Sequence, residues 1–134
     1  MTNPESVSEQ IAKALLQINA IKINVGQPFT WASGILSPVY CDNRRILSFP
    51  EVRLMVANKL AALVREHFPG TAQVAGVATG AIAHGMMVAH LLELPFVYVR
   101  SKPKQHGLGN QIEGLLRQEL STVVVEDLVS TGQS

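Results

Sequence analysis

The sequence predicts an α/β fold: a parallel sheet with flanking helices, preceded by an N-terminal α+β hood. Three observations predict it. First, Val74–Ala78 and Thr122–Glu126 are short apolar runs without polar alternation, as expected of strands buried on both faces. Second, a helix-forming stretch from Ala81 to about Leu92 separates Val74–Ala78 from another strand-like run, Phe96–Arg100. Strand, helix, strand implies a right-handed parallel crossover. Third, the residues up to about Arg45 mix one helical pattern with irregular strands and turns, which adds an α+β region ahead of the core.

The elements follow in chain order. Val7, Ile11, Leu15 and Ile18 recur at helical spacing, so an amphipathic helix is expected over roughly Glu5–Asn19. Phe29–Gly34 and Ser37–Asn43 then read as short strands between turn residues. Ser48-Phe-Pro-Glu51 has the Ser-x-x-Glu form of a capping box with proline in the first turn. The helix it predicts carries Val52, Val56, Leu60, Leu63 and Val64 on one face and ends near Phe68, before Pro69-Gly70. Thr79-Gly80 breaks the first core strand and opens the next helix, and Pro95 bars that helix from continuing. A long polar loop is expected from Ser101 to about Gln118. The Thr122–Glu126 strand has no helix after it, although a buried parallel sheet needs cover on both faces. The chain therefore reads as a single but partial domain, 1–45 forming the hood and 46–134 the front part of the core.

The 134 residues, 47% of them hydrophobic and 16% charged, suit one domain with an ample core and exclude global disorder. A formal charge of +1 argues against a nucleic-acid-binding module. No apolar stretch approaches a membrane span, and the N-terminus lacks the basic-then-apolar order of a secretory signal. The one cysteine, Cys41, excludes an intrachain disulfide and fits a reducing compartment. A cytoplasmic location is expected.

Three constellations carry chemistry. In Val123–Ser134, two acids, Glu126 and Asp127, end an apolar strand, and the small polar turn Ser130-Thr-Gly-Gln-Ser134 follows. Open α/β sheets bind ligands at that end of their strands. Backbone N–H groups and hydroxyls of such a turn can wrap a phosphate, while the acids suit sugar hydroxyls or a cation. Acids first and a phosphate cradle next read as a ribose-phosphate site. It is not a Walker loop, because Gly-x-x-x-x-Gly-Lys is absent. By spacing alone the segment reads equally as an ordinary strand exit. The second constellation, Arg100–Gly107, packs Arg100, Lys102, Lys104 and His106 into a stretch followed by glycines. Cations closing over a leaving group would stabilise its charge and exclude water; a solvated basic loop is the plainer reading. In the third, Thr79 and Gly80 offer backbone N–H groups at a helix start. His84 and His90 on that helix read as structural or surface residues, since no second ligand at suitable spacing argues for a metal.

Apolar residues, two acids, two apolar residues and then Ser/Thr-Thr/Ala-Gly resembles the phosphoribosyl-diphosphate motif of type I phosphoribosyltransferases. Within that family, Phe29–Arg44 and Tyr98–Gly114 resemble the orotate phosphoribosyltransferases. The resemblance runs from the first helix to Ser134. It implies transfer of ribose 5-phosphate from 5-phosphoribosyl 1-diphosphate to orotate, giving orotidine 5′-monophosphate and pyrophosphate in pyrimidine synthesis, with Mg²⁺ held mainly by substrate. It implies that Lys104, Glu126 and Asp127 are catalytic. It assigns 5-phosphoribosyl 1-diphosphate to Arg100, Lys104, His106, Glu126, Asp127 and the turn Leu128, Val129, Ser130, Thr131, Gly132, Gln133 and Ser134. Ser130 matches an orotate-contacting hydroxyl, and Tyr40 an aromatic position near the base. It also implies a homodimer in which the cationic loop serves the neighbouring subunit's site. Ala32 stands where some relatives carry a ligand-contacting lysine, and Ser101 where some carry a second lysine; those contacts do not carry over. The 134 residues alone are expected to be a poor catalyst. A purine-type transferase and a non-enzymatic regulator sensing the same sugar diphosphate are the rival readings.

Overall fold

The structure, a computed structural model, describes residues 5–102 and 110–132. The chain divides into two compact units, Met1–Arg53 and Leu54–Ser134.

The first unit opens with helix α1 (Val7–Gln17). Ser6 caps it through a reciprocal box: the Glu9 amide donates to Ser6 Oγ at 3.2 Å, and the Ser6 amide donates to Glu9 Oε2 at 2.8 Å. Two nested antiparallel pairs follow. Strand β1 (Ile21–Ile23) pairs with β4 (Val39–Cys41), enclosing β2 (Phe29–Thr30) paired with β3 (Leu36–Ser37). The β2–β3 turn needs Gly34 at φ 84°, a conformation costly for other residues. Trp31 Nε1 donates to the Val39 carbonyl at 2.9 Å, and the Phe29 and Tyr40 rings pack at 5.6 Å. The unit's core is small: Ala14, Leu15, Ile18, Ala20 and Ile46 are buried.

The Ser48–Glu51 capping box does not form. Residues Asn43–Ser48 make a 3₁₀ helix, and α2 (Pro50–His67) begins two residues after Ser48. The residue before a proline is pushed out of helical geometry. Phe49, at φ −117° and ψ 95°, is therefore the one that turns extended, and Pro50 takes the first helical position.

The second unit is a four-stranded sheet in the order β7-β6-β5-β8. Strand β5 (Gln73–Val77) leads through helix α3 (Ile82–Leu92) to β6 (Phe96–Val99), and β8 (Thr122–Val125) pairs along the other side of β5. These three strands are parallel. The expected Ser101–Gln118 loop is shorter than read, because Ile112–Glu113 forms β7, antiparallel to β6. So short a strand, set between polar residues and Gly114, carries little periodic signal.

Helix α3 lies very close to β5. A Cβ on Gly76 would stand 2.8 Å from the Ala81 carbonyl oxygen, and one on Gly85 would stand 2.9 Å from the Phe96 ring. Facing glycines let the two backbones approach under that ring. Val74, Ala81, Ala89 and Val125 form one buried cluster, and Ala61, Val64 and Val88 another, bridged by Leu60, Leu92 and Val123. Gln73, fully buried, is satisfied by Thr122 Oγ1 at 3.1 Å and the Arg117 amide at 3.3 Å. His84 is buried and His90 exposed on α3. Among the described residues no helix is long and apolar enough to cross a membrane.

Candidate functional site

Because β6, β5 and β8 run parallel side by side, the segments that follow them leave at one edge of the sheet, the edge where open α/β sheets bind ligands. Val77 is opposite Val99, and Gly76 is opposite Val125. Register thus brings together Ala78–Gly80, Arg100–Lys102 and Glu126–Gly132, the described parts of all three constellations.

The turn after β5 is tied on both sides. The Ala78 amide donates to the Val99 carbonyl at 2.8 Å, and the Ala81 amide to the Val77 carbonyl at 3.0 Å. The Ala78–Thr79 peptide is cis. The helix expected from Ala81 begins one residue later, at Ile82, with Ala81 at its N-cap and the Ile82 amide donating to the Thr79 carbonyl at 3.3 Å. The Thr79 and Gly80 N–H groups find no backbone acceptor among the described residues. They remain available to an anion.

The two acids after β8 differ in role. The Glu126 carboxylate turns back to accept the Asp127 amide at 2.9 Å. The Asp127 carboxylate lies broadside on Gly80: a Cβ built there would stand 2.5 Å from each of its oxygens. Both acids are half-buried, whereas Leu128, Val129, Ser130, Thr131 and Gly132 are exposed, with Gly132 at φ 78°. This is an open polar turn beside a seated carboxylate.

Arg100 follows β6 directly. Its amide donates to the Gln111 carbonyl at 2.8 Å, and Gln111 Nε2 returns a bond to the Arg100 carbonyl at 3.0 Å. The base of the cationic loop is therefore clamped. The guanidinium reaches Glu113 Oε1 at 3.4 Å, and its Nε is buried without an acceptor among the described residues. Glu113 was missed by sequence reasoning; its only signal was an acid placed just before Gly114. Lys104, His106, Gln133 and Ser134 lie outside the described residues. Lys102 is exposed.

Mg²⁺ keeps waters and substrate oxygens as most of its ligands and asks little of the protein beyond one or two carboxylates. The half-buried pair Glu126 and Asp127 fits that demand. Among the described residues no group of three or more His, Cys, Asp or Glu side chains forms a metal cluster.

No protein-family model matches the sequence. The chain is 55% identical, over all 134 residues, to the orotate phosphoribosyltransferase of Bacillus subtilis strain 168, and it spans 62% of that relative's length. Among solved structures it is similar to Leishmania donovani UMP synthase, with a TM-score of 0.76 and 29% identity over 95% of this chain and 26% of that one. It is also similar to the orotate phosphoribosyltransferase of Aeropyrum pernix, with a TM-score of 0.68 and 31% identity over 85% of this chain and 62% of that one. The α/β core is thus the phosphoribosyltransferase fold.

Proposed function

We propose that this chain belongs to the orotate phosphoribosyltransferase family and that the protein carrying it transfers ribose 5-phosphate from 5-phosphoribosyl 1-diphosphate to orotate. The products are orotidine 5′-monophosphate and pyrophosphate, a step of pyrimidine synthesis. The observation that carries the reading is the convergence of three post-strand segments at one sheet edge: the Thr79 and Gly80 amides, a carboxylate lying against Gly80 and a cationic loop base.

Each segment has a task in that chemistry. The exposed turn Leu128–Ser134 takes the 5′-phosphate on its amides and on the Ser130 and Thr131 hydroxyls. Ser130 also meets orotate. Glu126 and Asp127 hold the ribose hydroxyls and face the positive charge that develops at C1′ as the bond to diphosphate breaks and the bond to the orotate ring nitrogen forms. The Thr79 and Gly80 amides take diphosphate oxygens. Arg100, Lys104 and His106 offset the charge gathering on the leaving group. Held mainly by substrate, with Glu126 and Asp127 as the carboxylates beside it, Mg²⁺ would further neutralise the diphosphate when bound. No covalent link to the protein is needed, so the chain acts by positioning and electrostatics. A homodimer with shared sites and a cytoplasmic location belong to the same proposal.

The test is a steady-state assay of the full-length protein for pyrophosphate release, with orotate, adenine or hypoxanthine as acceptor. Release that depends on orotate and on Mg²⁺ is expected. Release with a purine base would move the protein to a purine-type transferase. Binding of the sugar diphosphate without release under any acceptor would make it a sensor.

A further inference from the structure

We infer that Glu113 is a positioning residue for Arg100: the carboxylate on β7 orients the guanidinium at the sheet edge where the diphosphate binds. This deepens the proposed function and rests on Arg100 meeting the diphosphate.

Strand β7 is two residues long, and both are only half-buried, so it adds little apolar burial to the sheet. What it adds is an acid beside a cation. Tyr98 pairs with Glu113 and Val99 with Ile112, which sets Glu113 one strand over from the exit of β6. Its Oε1 stands 3.4 Å from Arg100 Nη1. That distance is long for a charge-assisted hydrogen bond, and both side chains reach solvent, so the pair contributes little to stability. The strand junction does not need it either, because the reciprocal Arg100–Gln111 bonds already tie the main chain. The carboxylate is left to act on the side chain. Arg100 Nε is buried among protein atoms, which fixes the stem, and the pull on Nη1 sets the direction of the planar fork. The Arg100 side chain is still 38% exposed, so donors remain for an anion. A fork that is already oriented loses less freedom when it grips one.

The experiment compares wild type, Glu113→Ala, Arg100→Ala and the double variant in the full-length protein. Thermal unfolding, calorimetric affinity for 5-phosphoribosyl 1-diphosphate with Mg²⁺ and the KM for orotate are measured for each. Glu113→Ala is expected to keep the wild-type unfolding midpoint and the wild-type KM for orotate. Its affinity for the sugar diphosphate should fall roughly 3- to 10-fold, the cost of ordering one long side chain on binding. Once Arg100 is alanine, removing the carboxylate should cost nothing more, since non-additivity marks residues that act through one another. Wild-type affinity in Glu113→Ala, or losses that multiply in the double variant, would overturn the inference. So would tighter binding, which would make the carboxylate a competitor of the diphosphate for Arg100. Wild-type affinity in Arg100→Ala would overturn it too. None of these outcomes touches the transferase reading, which falls only if the wild-type protein releases no pyrophosphate with orotate. Should Glu113→Ala fail to fold, Glu113→Met, which fills similar space without a carboxylate, is judged by the same criteria.

Discussion

Strands β5 and β8 are alike in sequence and unlike in support. Both are parallel and apolar, and both end in a turn at the same sheet edge. β5 has a strand on either side, and Gln73–Gly76 are buried. β8 pairs only with β5 among the described residues; Val125 is buried, but Val124 is 62% exposed. The turn after β5 is therefore built into the core, while the acids follow a strand with a single partner among the described residues, and Asp127 lies against Gly80. Stability resides mainly in the first strand and adjustable chemistry in the exit of the second.

Asp127→Asn tests that division most severely. It should lower turnover by roughly 10²–10³-fold, the usual cost of removing one preorganised electrostatic group, and leave the thermal midpoint unchanged. Loss of the unfolding transition instead would place Asp127 among residues that hold the fold, and the contrast with β5 would collapse.

Lys104→Ala should also cost about 10²-fold, through a loop that the proposed dimer lends to its neighbour. Mixing Lys104→Ala chains with Asp127→Asn chains produces heterodimers with one intact site. Activity should climb toward half the wild-type value per heterodimer. Subunit exchange demonstrated without any recovery would put Lys104 and Asp127 in the same subunit's site.

The same chemical change on the two strands gives a direct comparison. Val74 is fully buried on β5, so Val74→Ala should cost about 2 kcal/mol, two buried methyl groups plus the cavity they leave. Val124→Ala on β8 should cost no more than about 0.5 kcal/mol, as surface changes usually do. Urea unfolding of the pair measures both, and equal losses would show that β8 is covered as fully as β5.

The smallest effect is expected beside β6. Arg100 and Glu113 are 3.4 Å apart with side chains 38% and 23% exposed, and such pairs are worth at most about 1 kcal/mol. Glu113→Gln should shift the urea midpoint within that limit. A larger shift would mean that the β6–β7 clamp depends on the ion pair rather than on the two Arg100–Gln111 hydrogen bonds.

Local pattern made the core strands and helices readable. Val74–Ala78 and Thr122–Glu126 announced themselves because burial on both faces leaves an unbroken apolar run, and α1 and α2 because a helix with one buried face repeats its apolar residues. Glu126, Asp127 and the turn beyond them were legible as a strand exit with a polar turn; spacing left an ordinary exit equally open, and only the resemblance to type I phosphoribosyltransferases gave them an expected role. The capping box went wrong because Ser48 satisfies the pattern while the pre-proline position of Phe49 forces the extended residue one place later. The box that does form, Ser6 with Glu9, had the same pattern and no proline to displace it.

By itself, then, the sequence determined the α/β class, the order of the core elements and the residue types gathered at the strand exits, because these follow from short-range periodicity and turn chemistry. Only the tertiary structure decided that β7 joins the sheet, that Glu113 meets Arg100 and that Asp127 lies against Gly80. Gly80 and Asp127 lie far apart along the chain, and neither neighbourhood contains a sign of the other. Their contact exists because β5 and β8 pair in a particular register, and register is settled by how whole strands bury their side chains rather than by any local signal.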